Sequence, residues 1–415
     1  MIQRVTADRD LELLRVVRDL AAETYVEELD EGELVDNALS GMIGGLDHYS
    51  RFYRQSEIEA LDRTTRGEFR GIGVIFRGPM EDGQVLFAYP DGPAGRAGVE
   101  VGDTFLSING SSVAELGDGG LRDTLQRRDS SSLEVELANL KGEQRTVTIQ
   151  PEPVLDPSIR LAHMADEENG LGHISLLSFS SHSLEEFDAA MESLMEQGLR
   201  GLVLDLRGDG GGSVDAAVGI ANRFVAEGRL VATRTRTGTQ VMSAKPQEAR
   251  HLGLPLVLLV DRDSASASEI LAGALQDHGV TVLVGEATYG KGTVQTLTRF
   301  TGNRAIVKVT TAHYLTPAWR RIERDENNPE HSGIAPDVLL PLDDLGRAQV
   351  HAYLRRYHPP QQFLPAIQEW QAESGLALLP EAPEDPQLVA ALSLLRGEDP
   401  SVAPEVALRD TSEDE

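Results

Sequence analysis

The sequence predicts an α/β fold: a mainly parallel sheet with flanking helices, an inserted β-rich module, and helical segments at both ends of the chain. Three observations predict it. The 415 residues are enough for two or three domains. Hydrophobic residues make up 40% and charged residues 25% of the chain, which are values of globular proteins. Apolar runs alternate with helical patterns over residues 154–345, which is typical of parallel sheets with right-handed crossovers.

Composition excludes several classes of function. Acidic residues outnumber basic ones 67 to 38, and the net charge of -29 argues against binding to nucleic acids or to anionic membrane surfaces. The chain has no cysteine, which excludes disulfides, thiolate metal sites and thiol nucleophiles. No apolar run reaches the roughly 18 residues of a membrane span. The N-terminus lacks the apolar core of a signal peptide, so the protein stays inside the cell or the chain begins after a leader.

Changes in composition divide the chain into five segments. They are a helical N-terminal segment (1–66), a β-rich module (67–153), the α/β core (154–345), a helical C-terminal segment (346–395), and an acidic tail expected to be disordered (396–415). The first segment carries apolar residues at helical spacing: Leu11, Leu13, Leu14, Val17 and Leu20. Because this segment buries little by itself, we expect it to pack on the rest of the chain or on a second subunit.

Short β-like runs separated by Gly-rich turns predict the β-rich module. The expected strands are 71–76, 84–89, 104–110, 132–138 and 144–150, with one helical patch at Gly120–Arg128. In the core, strands are expected at 172–179, 201–207, 255–261 and 281–286, and helices at 184–198, 214–228 and 264–279. Functional sites of such folds gather at the carboxyl ends of the strands.

The motif DSASASE (Asp263–Glu269) joins a buried strand to a helix. A hydroxyl at this point is exposed at the sheet edge, and nearby backbone N–H groups and the helix dipole favour a developing anion. These features suit an acyl-transfer nucleophile. The alternative is simple helix capping by Ser or Asp, although a cap needs only one of the three hydroxyls.

The motif YGKGTVQ (289–295) places Lys291 between two glycines at the start of a β-like run. The chain has only four lysines among its 38 basic residues: Lys141, Lys245, Lys291 and Lys308. Glycine allows close approach of backbone, and burial favours the neutral amine that a general base requires. Residues 291 and 295 of a strand point to one face, so Gln295 could orient the Lys291 amine. The alternative is a lysine that binds phosphate or carboxylate.

The loop DLRGDGGGS (Asp205–Ser213) follows a buried strand and precedes a helix. Free backbone N–H groups in such a loop form an anion-binding nest that suits an oxyanion hole. The alternative is a flexible glycine turn. The run GIGVIF (71–76) is not a nucleotide loop, because no helix follows it.

These motifs, in this order, resemble the carboxyl-terminal processing proteases, also called tail-specific proteases, of the S41 serine peptidases. The similarity spans most of residues 25–340. It includes LDHYSRFY (46–53), GEFRGIGVIF (67–76), GPAGRAGVEVGDTFLSINGSSV (92–113), DLRGDGGG (205–212), SASASEILAGALQDHG (264–279), VGEATYGKGTVQT (284–296) and TAHYLTP through SGIAPDV (311–338). The resemblance implies an S41 protease core with an inserted PDZ domain.

The resemblance also implies roles for single residues. Ser266 matches the nucleophile, Lys291 the general base and Gln295 the residue that positions the lysine. The backbone amides of Gly212 and Ala267 match the oxyanion hole. An acidic position linked to activity in some members matches Asp277, which lies 11 residues after Ser266. That distance is about three helical turns and favours a role in bracing the fold.

In the PDZ domain, the backbone of residues 71–75 resembles the edge that pairs with a substrate's C-terminal segment. The residues that the resemblance implies for tail binding are Gly71, Ile72, Gly73, Val74 and Arg127. Arg127 aligns with an arginine that senses the terminal carboxylate, although the assignment could belong to Arg128. An exposed arginine at a helix end is the alternative.

The implied activity is that of a serine endopeptidase with a Ser–Lys dyad and no metal or cofactor. Its substrates would be proteins with free, apolar C-terminal tails, delivered by the PDZ domain. A catalytically silent PDZ scaffold that binds C-terminal peptides is the alternative. The resemblance implies a homodimer and a periplasmic or other extracytoplasmic location, and it leaves an activating adaptor protein open.

This sequence departs from the family at two places. Asp209-Gly210-Gly211-Gly212 stands where Asn-Pro-Gly-Gly is usual, and Ala318-Trp319 stands where Ser-Gly is usual after Thr316-Pro317. The extra glycine keeps the nest but loosens the loop. Trp319 is expected to alter a substrate cleft or to cover apolar surface.

Overall fold

The computed structural model describes residues 2–77, 82–126, 131–300, 302, 305–324, 333–356, 363–375, 382–398 and 407–408. The chain divides into two compact units. The smaller unit holds the chain up to Asp62 together with Thr233–Thr239 and Thr293–Tyr314, and the larger unit holds the remaining described residues. No helix of the described ranges is both long and apolar enough to cross a membrane.

The N-terminal segment is mostly helical, as predicted, but it contains one strand. Its elements are α1 (Ile2–Thr24), α2 (Glu31–Gly44), β1 (Arg51–Arg54) and α3 (Gln55–Arg66). Asp30 caps α2 by accepting a hydrogen bond from the Glu33 amide at 2.9 Å. The strand β1 was not predicted because four residues alone carry no clear period, and its partner lies some 250 residues later in the sequence.

The β-rich module contains each of the predicted strands. Its elements are β2 (Glu68–Gly71), β3 (Val74–Phe76), β4 (Val85–Ala88), α4 (Pro93–Arg96), β5 (Thr104–Ile108), β6 (Ser111–Ser112), α5 (Val113–Leu125), β7 (Leu133–Ala138), β8 (Gln144–Ile149) and β9 (Glu152–Leu155). The run expected as one strand over 71–76 is divided at Gly73, which has φ +72°. The helix expected at Gly120–Arg128 begins earlier and is kinked at Gly117. The alternate residues Leu133, Val135 and Leu137 of β7 belong to the buried core of this module.

The remaining elements form the core and the C-terminal segment. They are β10 (Ile159–Asp166), β11 (Leu171–Leu176), α6 (Ser183–Glu196), β12 (Gly201–Asp205), α7 (Val214–Phe224), β13 (Arg229–Thr235), β14 (Thr239–Ser243), β15 (Leu256–Val260), α8 (Ala267–Asp277), β16 (Val282–Gly285), β17 (Thr293–Arg299), β18 (Ala305–Leu315), β19 (Val338–Leu339), α9 (Asp344–Arg355), α10 (Leu364–Ser374), α11 (Pro386–Leu395) and β20 (Ala407–Leu408).

A seven-stranded sheet in the larger unit has the order β10-β11-β12-β15-β16-β19-β20. Five neighbouring strands, from β11 to β19, are parallel, and the two edge strands are antiparallel. The strands β12 and β15 are completely buried, which explains their continuous apolar sequences. The loops after β12, β15 and β16 therefore leave the sheet from neighbouring strands at the same edge.

The chain end contributes one short strand. Within the segment 396–415, which was expected to be disordered, Ala407 and Leu408 form β20 and pair with Leu339 and Val338; the expectation for the rest of the segment stays a prediction. A short apolar stretch within the acidic segment supplies this strand, which covers the edge of the sheet.

In the smaller unit, β18 pairs in antiparallel register with β1 and with β17. Arg51 of β1 lies opposite Lys308, and Thr293 of β17 lies opposite His313. A register shift interrupts β17 between Val294 and Gln295.

The C-terminal helices pack on different parts of the larger unit. Ala390 and Ala391 of α11 belong to the core cluster of the sheet. Ile367 and Trp370 of α10 pack with Phe87 of the β-rich module. The helix α9 contributes Val350 and Leu354 to a separate hydrophobic cluster. The C-terminal segment is thus an integral part of this unit.

Candidate active site

Ser266 lies at the junction between the β15 loop and α8, and its backbone has an unusual conformation. Its φ is +59° and its ψ is -107°, and only two other non-glycine residues of the described chain have a positive φ. Such conformations are unfavourable for residues with a side chain and are held by the surrounding structure. The residue is 9% exposed. The backbone thus presents Ser266 at the start of α8, where strain and partial exposure are typical of functional sites.

The other two serines of the DSASASE motif are structural. Ser264 donates its hydroxyl to the Leu206 carbonyl at 2.8 Å, and Ser268 donates its hydroxyl to the Asp209 carbonyl at 3.0 Å. Both are completely buried. Two of the three hydroxyls therefore fasten this turn to the loop after β12, and Ser266 is the only serine of the motif that keeps some exposure.

Glu269 joins the segments that carry Ser266 and Lys291. Its Oε2 accepts hydrogen bonds from the amides of Ser266 at 2.7 Å and of Lys291 at 2.8 Å. Its Oε1 accepts from the amide of Gly290 and from the hydroxyl of Thr288, both at 2.6 Å. Since two of these bonds end at one oxygen, the amide nitrogens of Ser266 and Lys291 cannot be farther apart than the two bond lengths together.

The electrostatic environment of Glu269 is set by its burial, because no part of the residue is exposed. Burial raises the pKa of the Glu269 carboxyl above its usual range, and the hydrogen bonds from Thr288 and from three backbone amides counteract this only in part. The carboxyl group is therefore a fully engaged structural centre behind the motif.

Lys291 is half-buried and lies in the loop between β16 and β17, beneath a later stretch of backbone. A methyl group on the Cα of Gly290 would lie 2.4 Å from the Glu323 carbonyl oxygen. On Gly292 it would lie 1.5 Å from the Ile322 carbonyl oxygen. The prediction that glycines flank Lys291 to allow close backbone approach is confirmed.

Gln295 is placed differently from the prediction. The strand β17 begins at Thr293, so Lys291 precedes it, and the register shift at Val294 breaks the alternation further. The argument that residues 291 and 295 share one strand face is therefore wrong. The Gln295 amide donates to the Thr293 hydroxyl at 2.8 Å and to the Thr310 hydroxyl at 3.4 Å. Its role toward Lys291 stays a prediction.

The glycine-rich loop after β12 packs against the Ser266 turn. A methyl group on Gly211 would lie 2.8 Å from Ser266 Cβ and 2.9 Å from the Ala267 amide nitrogen. Gly212 has φ +147°, and a methyl group there would lie 2.0 Å from the Phe179 carbonyl oxygen. Among the hydrogen bonds of the described chain, none is donated by the amide of Gly212 or of Ala267. Gly212 is exposed, whereas Ala267 is completely buried.

The same loop is anchored from behind by residues that sequence reasoning missed. The buried Arg207 guanidinium forms ion pairs with Asp205 at 2.6 Å and with Asp385, the N-cap of α11, at 2.7 Å. Asp261 accepts from the Gly208 amide at 3.0 Å. The Asp-Pro pair at 385–386 is an N-cap signal, but nothing in the sequence links it to a loop 178 residues earlier.

One cluster among the described residues could hold a metal ion: Asp261, Asp263 and His351. His351 Nε2 lies 2.5 Å from Asp261 Oδ2. Asp261 Oδ1 already accepts from the amides of Gly208, Asp263 and Ser264. These bonds are those of a carboxylate that holds loops together. Burial alone would raise the pKa of Asp261, but the bonds from His351 and Gly208 outweigh burial and lower this pKa overall.

Asp277 is the last residue of α8 and binds the loop after β18. It accepts from the Ala318 amide at 2.7 Å and forms an ion pair with Arg320. These contacts support a bracing role. In the same loop Trp319 has φ +64°, and its ring lies 3.9 Å from the guanidinium carbon of Arg229.

Residues 71–74 occupy the turn between β2 and β3. Gly71 lies opposite Glu152 of β9. The carbonyls of Ile72 and Gly73 accept from the amides of Ala94 and Tyr89, each at 2.9 Å. Among the described strands, β3 pairs only with β4, so no described strand occupies its other edge. Arg127 lies outside the described residues.

Comparison with known proteins identifies the family. The model of peptidase family S41 matches residues 170–340. A carboxy-terminal-processing protease of Bartonella bacilliformis is 31% identical over 395 residues, which are 90% of this chain and 85% of that protein. A carboxyl-terminal-processing protease of Synechocystis sp. is 35% identical over 330 residues, 77% of this chain and 74% of that protein.

A solved structure of an S41 protease from Bacteroides fragilis is similar with a TM-score of 0.51 at 15% identity, covering 92% of this chain and 97% of that one. At this identity the similarity concerns the fold alone. The range matched by the family model contains both Ser266 and Lys291. This chain belongs to the carboxyl-terminal processing proteases of peptidase family S41.

Proposed function

We propose that this protease is a serine endopeptidase in which Ser266 is the nucleophile and Lys291 the general base. The observation that carries the proposal is the shared Glu269 oxygen, which accepts from the amides of both residues. This contact keeps the two backbones together although 25 residues separate them in sequence. A neutral lysine amine can remove the hydroxyl proton of a serine, as in other Ser–Lys enzymes.

The chemical steps follow from this assignment. The Ser266 oxygen attacks the peptide carbonyl while Lys291 takes its proton, and the amides of Gly212 and Ala267 donate to the oxyanion. Collapse of this intermediate expels the amine, which receives the proton from Lys291, and leaves an acyl-enzyme. Water then attacks the ester with Lys291 again as base. Gln295 is proposed to orient the Lys291 amine.

The β-rich module is proposed to be a PDZ domain that delivers the substrate. The open edge of β3 and the turn at Gly71–Val74 suit the addition of an extended C-terminal segment as a further strand. Arg127 would contact the terminal carboxylate. Substrates would be proteins with free apolar C-termini in an extracytoplasmic compartment, and cell fractionation with an antibody would test the location.

The mechanism is tested by single substitutions. Ser266→Ala and Lys291→Ala are each assayed on an unfolded protein that ends in an apolar tail. The controls are Ser243→Ala and Lys245→Ala, whose side chains are exposed. We expect both site variants to lose cleavage by at least about a thousandfold while the controls keep it. Undiminished cleavage by either site variant would reject the dyad.

Tail delivery is tested with the same protein ending in a free carboxylate or in an amide. We expect kcat/KM to fall for the amide if the terminal carboxylate is recognised. A wild type that binds the tail but releases it uncut would instead identify the silent scaffold.

A further inference from the structure

Asp209 links the glycine-rich loop to the turn that carries Ser266. Its side-chain Oδ1 accepts a hydrogen bond from the Gly211 amide at 2.7 Å. Its backbone carbonyl accepts from the Ala265 amide at 2.9 Å and from the Ser268 hydroxyl at 3.0 Å. Asp209 thus holds the loop that packs on Ser266. It also binds Ala265, before the nucleophile, and Ser268, after it.

The second carboxyl oxygen of Asp209 is isolated. The residue is completely buried, and Oδ2 has no hydrogen-bond partner within the described part of the chain. An ionised carboxylate at this position would be a buried charge with one hydrogen bond. Proteins avoid such charges by keeping the group neutral.

Among the described residues, no charged group that faces the loop forms an ion pair with Asp209. These groups include Arg355 of α9, whose guanidinium would lie 3.6 Å from a methyl group on the neighbouring Gly208. Asp261, at the end of β15, is itself negative and is paired with His351 of α9. On α8 the nearest acidic side chain is Glu269, whose two oxygens are occupied by four donors. Arg207, in the same loop, is committed to the carboxylates of Asp205 and Asp385.

The direction of the pKa shift of the Asp209 carboxyl agrees with this geometry. Burial raises the pKa of the Asp209 carboxyl well above its ordinary value. The bond from the Gly211 amide and the nearby Ser268 hydroxyl oppose this, and the negative charge of Asp261 adds to it. The neutral acid is therefore favoured well into the range in which an exposed aspartate is ionised.

We propose that Asp209 is a positioning residue that holds the oxyanion loop in place only as the neutral acid, so that its ionisation sets the alkaline limit of activity. The proposal rests on the proposed function. Ionisation would force the carboxylate toward water and pull the loop away from Ser266. It would also place a negative charge beside the oxyanion that the loop amides have to stabilise.

The same ionisation is linked to folding. Because the carboxyl keeps its proton in the folded state and loses it in the unfolded chain, unfolding releases a proton. The stabilising contribution is complete below the ordinary aspartate value of about 3.9 and is lost as pH rises toward the folded-state value. Over this window the unfolding equilibrium constant rises by up to about tenfold per pH unit from this group alone.

The test uses Asp209→Asn, which keeps an acceptor for the Gly211 amide and cannot ionise. The matched control is Asp91→Asn, the same substitution at an exposed position of the β-rich module. The pH dependence of kcat is measured for wild type and both variants. We expect kcat of the wild type and the control to fall about tenfold per pH unit above an alkaline limit, and this limb to disappear in Asp209→Asn.

A second measurement does not depend on activity. Urea unfolding is followed between pH 5 and pH 9 in a Ser266→Ala background with and without Asp209→Asn. We expect the unfolding equilibrium constant of Ser266→Ala, divided by that of the double variant with Asp209→Asn, to increase with pH. If Asp209→Asn does not fold, Asp209→Ser offers another neutral acceptor at the same place.

The outcomes separate the two proposals. An unchanged alkaline limb together with parallel unfolding curves would overturn the role of Asp209. Cleavage by Ser266→Ala would reject the dyad, yet the unfolding ratio would still test Asp209. A changed unfolding ratio with an unchanged limb would also overturn the proposal, because the ionisation would then not control the oxyanion loop.

Discussion

At the scale of single residues, one carboxylate organises both halves of the proposed dyad. The spacing from Ser266 to Glu269 is that of a capping box, and the bond between Glu269 and the Ser266 amide fits this local pattern. The bonds to Thr288, Gly290 and Lys291 reach across 19 to 22 residues and have no local signal. The structure therefore gives this capping residue a second task, which is to fix the loop of Lys291.

The substitution Glu269→Gln tests this task. It replaces one carboxylate oxygen, which accepts two hydrogen bonds, by an NH2 group, which only donates. Two buried hydrogen-bond donors would then face another donor. We expect the free energy of unfolding to fall by about 2–5 kcal/mol and kcat to fall at least about a hundredfold, with KM changed little. Urea unfolding and steady-state kinetics measure both effects.

The control for this prediction is Glu192→Gln, an exposed position on α6. It should leave both quantities close to those of the wild type. A kcat of Glu269→Gln within threefold of the wild-type value would contradict the positioning role, even if the variant were less stable.

At the scale of elements, the C-terminal helix α11 holds the glycine-rich loop after β12, which is the proposed oxyanion loop. Asp385 begins the helix and also pairs with Arg207, which is buried next to Asp205. Gln387 of α11 accepts a further bond from Arg207 at 2.9 Å. A helix far along the chain is thus connected through one guanidinium to the loop that packs on Ser266.

Two substitutions at Asp385 separate its roles. Asp385→Ala removes the ion pair and the helix cap, and we expect it to lower the free energy of unfolding by about 2–4 kcal/mol. Asp385→Asn keeps a capping oxygen and should cost about half as much. Both variants should also have a lower kcat at temperatures at which they are still folded. Thermal unfolding measures the stability, and steady-state kinetics measure kcat. Equal stability of Asp385→Ala and wild type would contradict the anchoring of the loop.

Elements with a strong period were predictable, and contacts between distant segments were not. The buried strands β12 and β15 and the helix α8 follow from apolar runs, glycine ends and caps in the sequence. The strand β1 has only four residues and depends on β18, and β20 depends on the edge of β19. Their formation is decided by long-range pairing, which local patterns do not contain.

The site shows the same division. Ser266 and Lys291 stand in recognisable motifs at strand ends. The place of Gln295 was not predictable, because the start of β17 and the register shift beside it depend on pairing with β18. The roles of Glu269, Asp385 and Asp209 appear only when the loops from neighbouring strands are brought together.

At the scale of the whole molecule, the strong negative charge is unevenly distributed. The chain has 67 acidic and 38 basic residues, but α1 is nearly balanced. Its charged residues are the basic Arg4, Arg9, Arg15 and Arg18 and the acidic Asp8, Asp10, Glu12, Asp19 and Glu23. Charge repulsion between two copies is therefore small at this helix.

The helix α1 also exposes an apolar stripe that the described chain leaves uncovered. Leu11, Leu14 and Val17 are each more than half exposed and recur every three residues. Two copies of α1 could bury these stripes against each other while opposite charges at their flanks pair, as in an isologous contact. We propose that the protease is a homodimer through this helix.

Sedimentation velocity of the full chain should show a dimer that dissociates in Leu14→Glu, whereas Glu12→Gln, beside the stripe, should remain dimeric. A wild type that sediments as a monomer at micromolar concentration, or a Leu14→Glu variant that stays dimeric, would contradict this proposal.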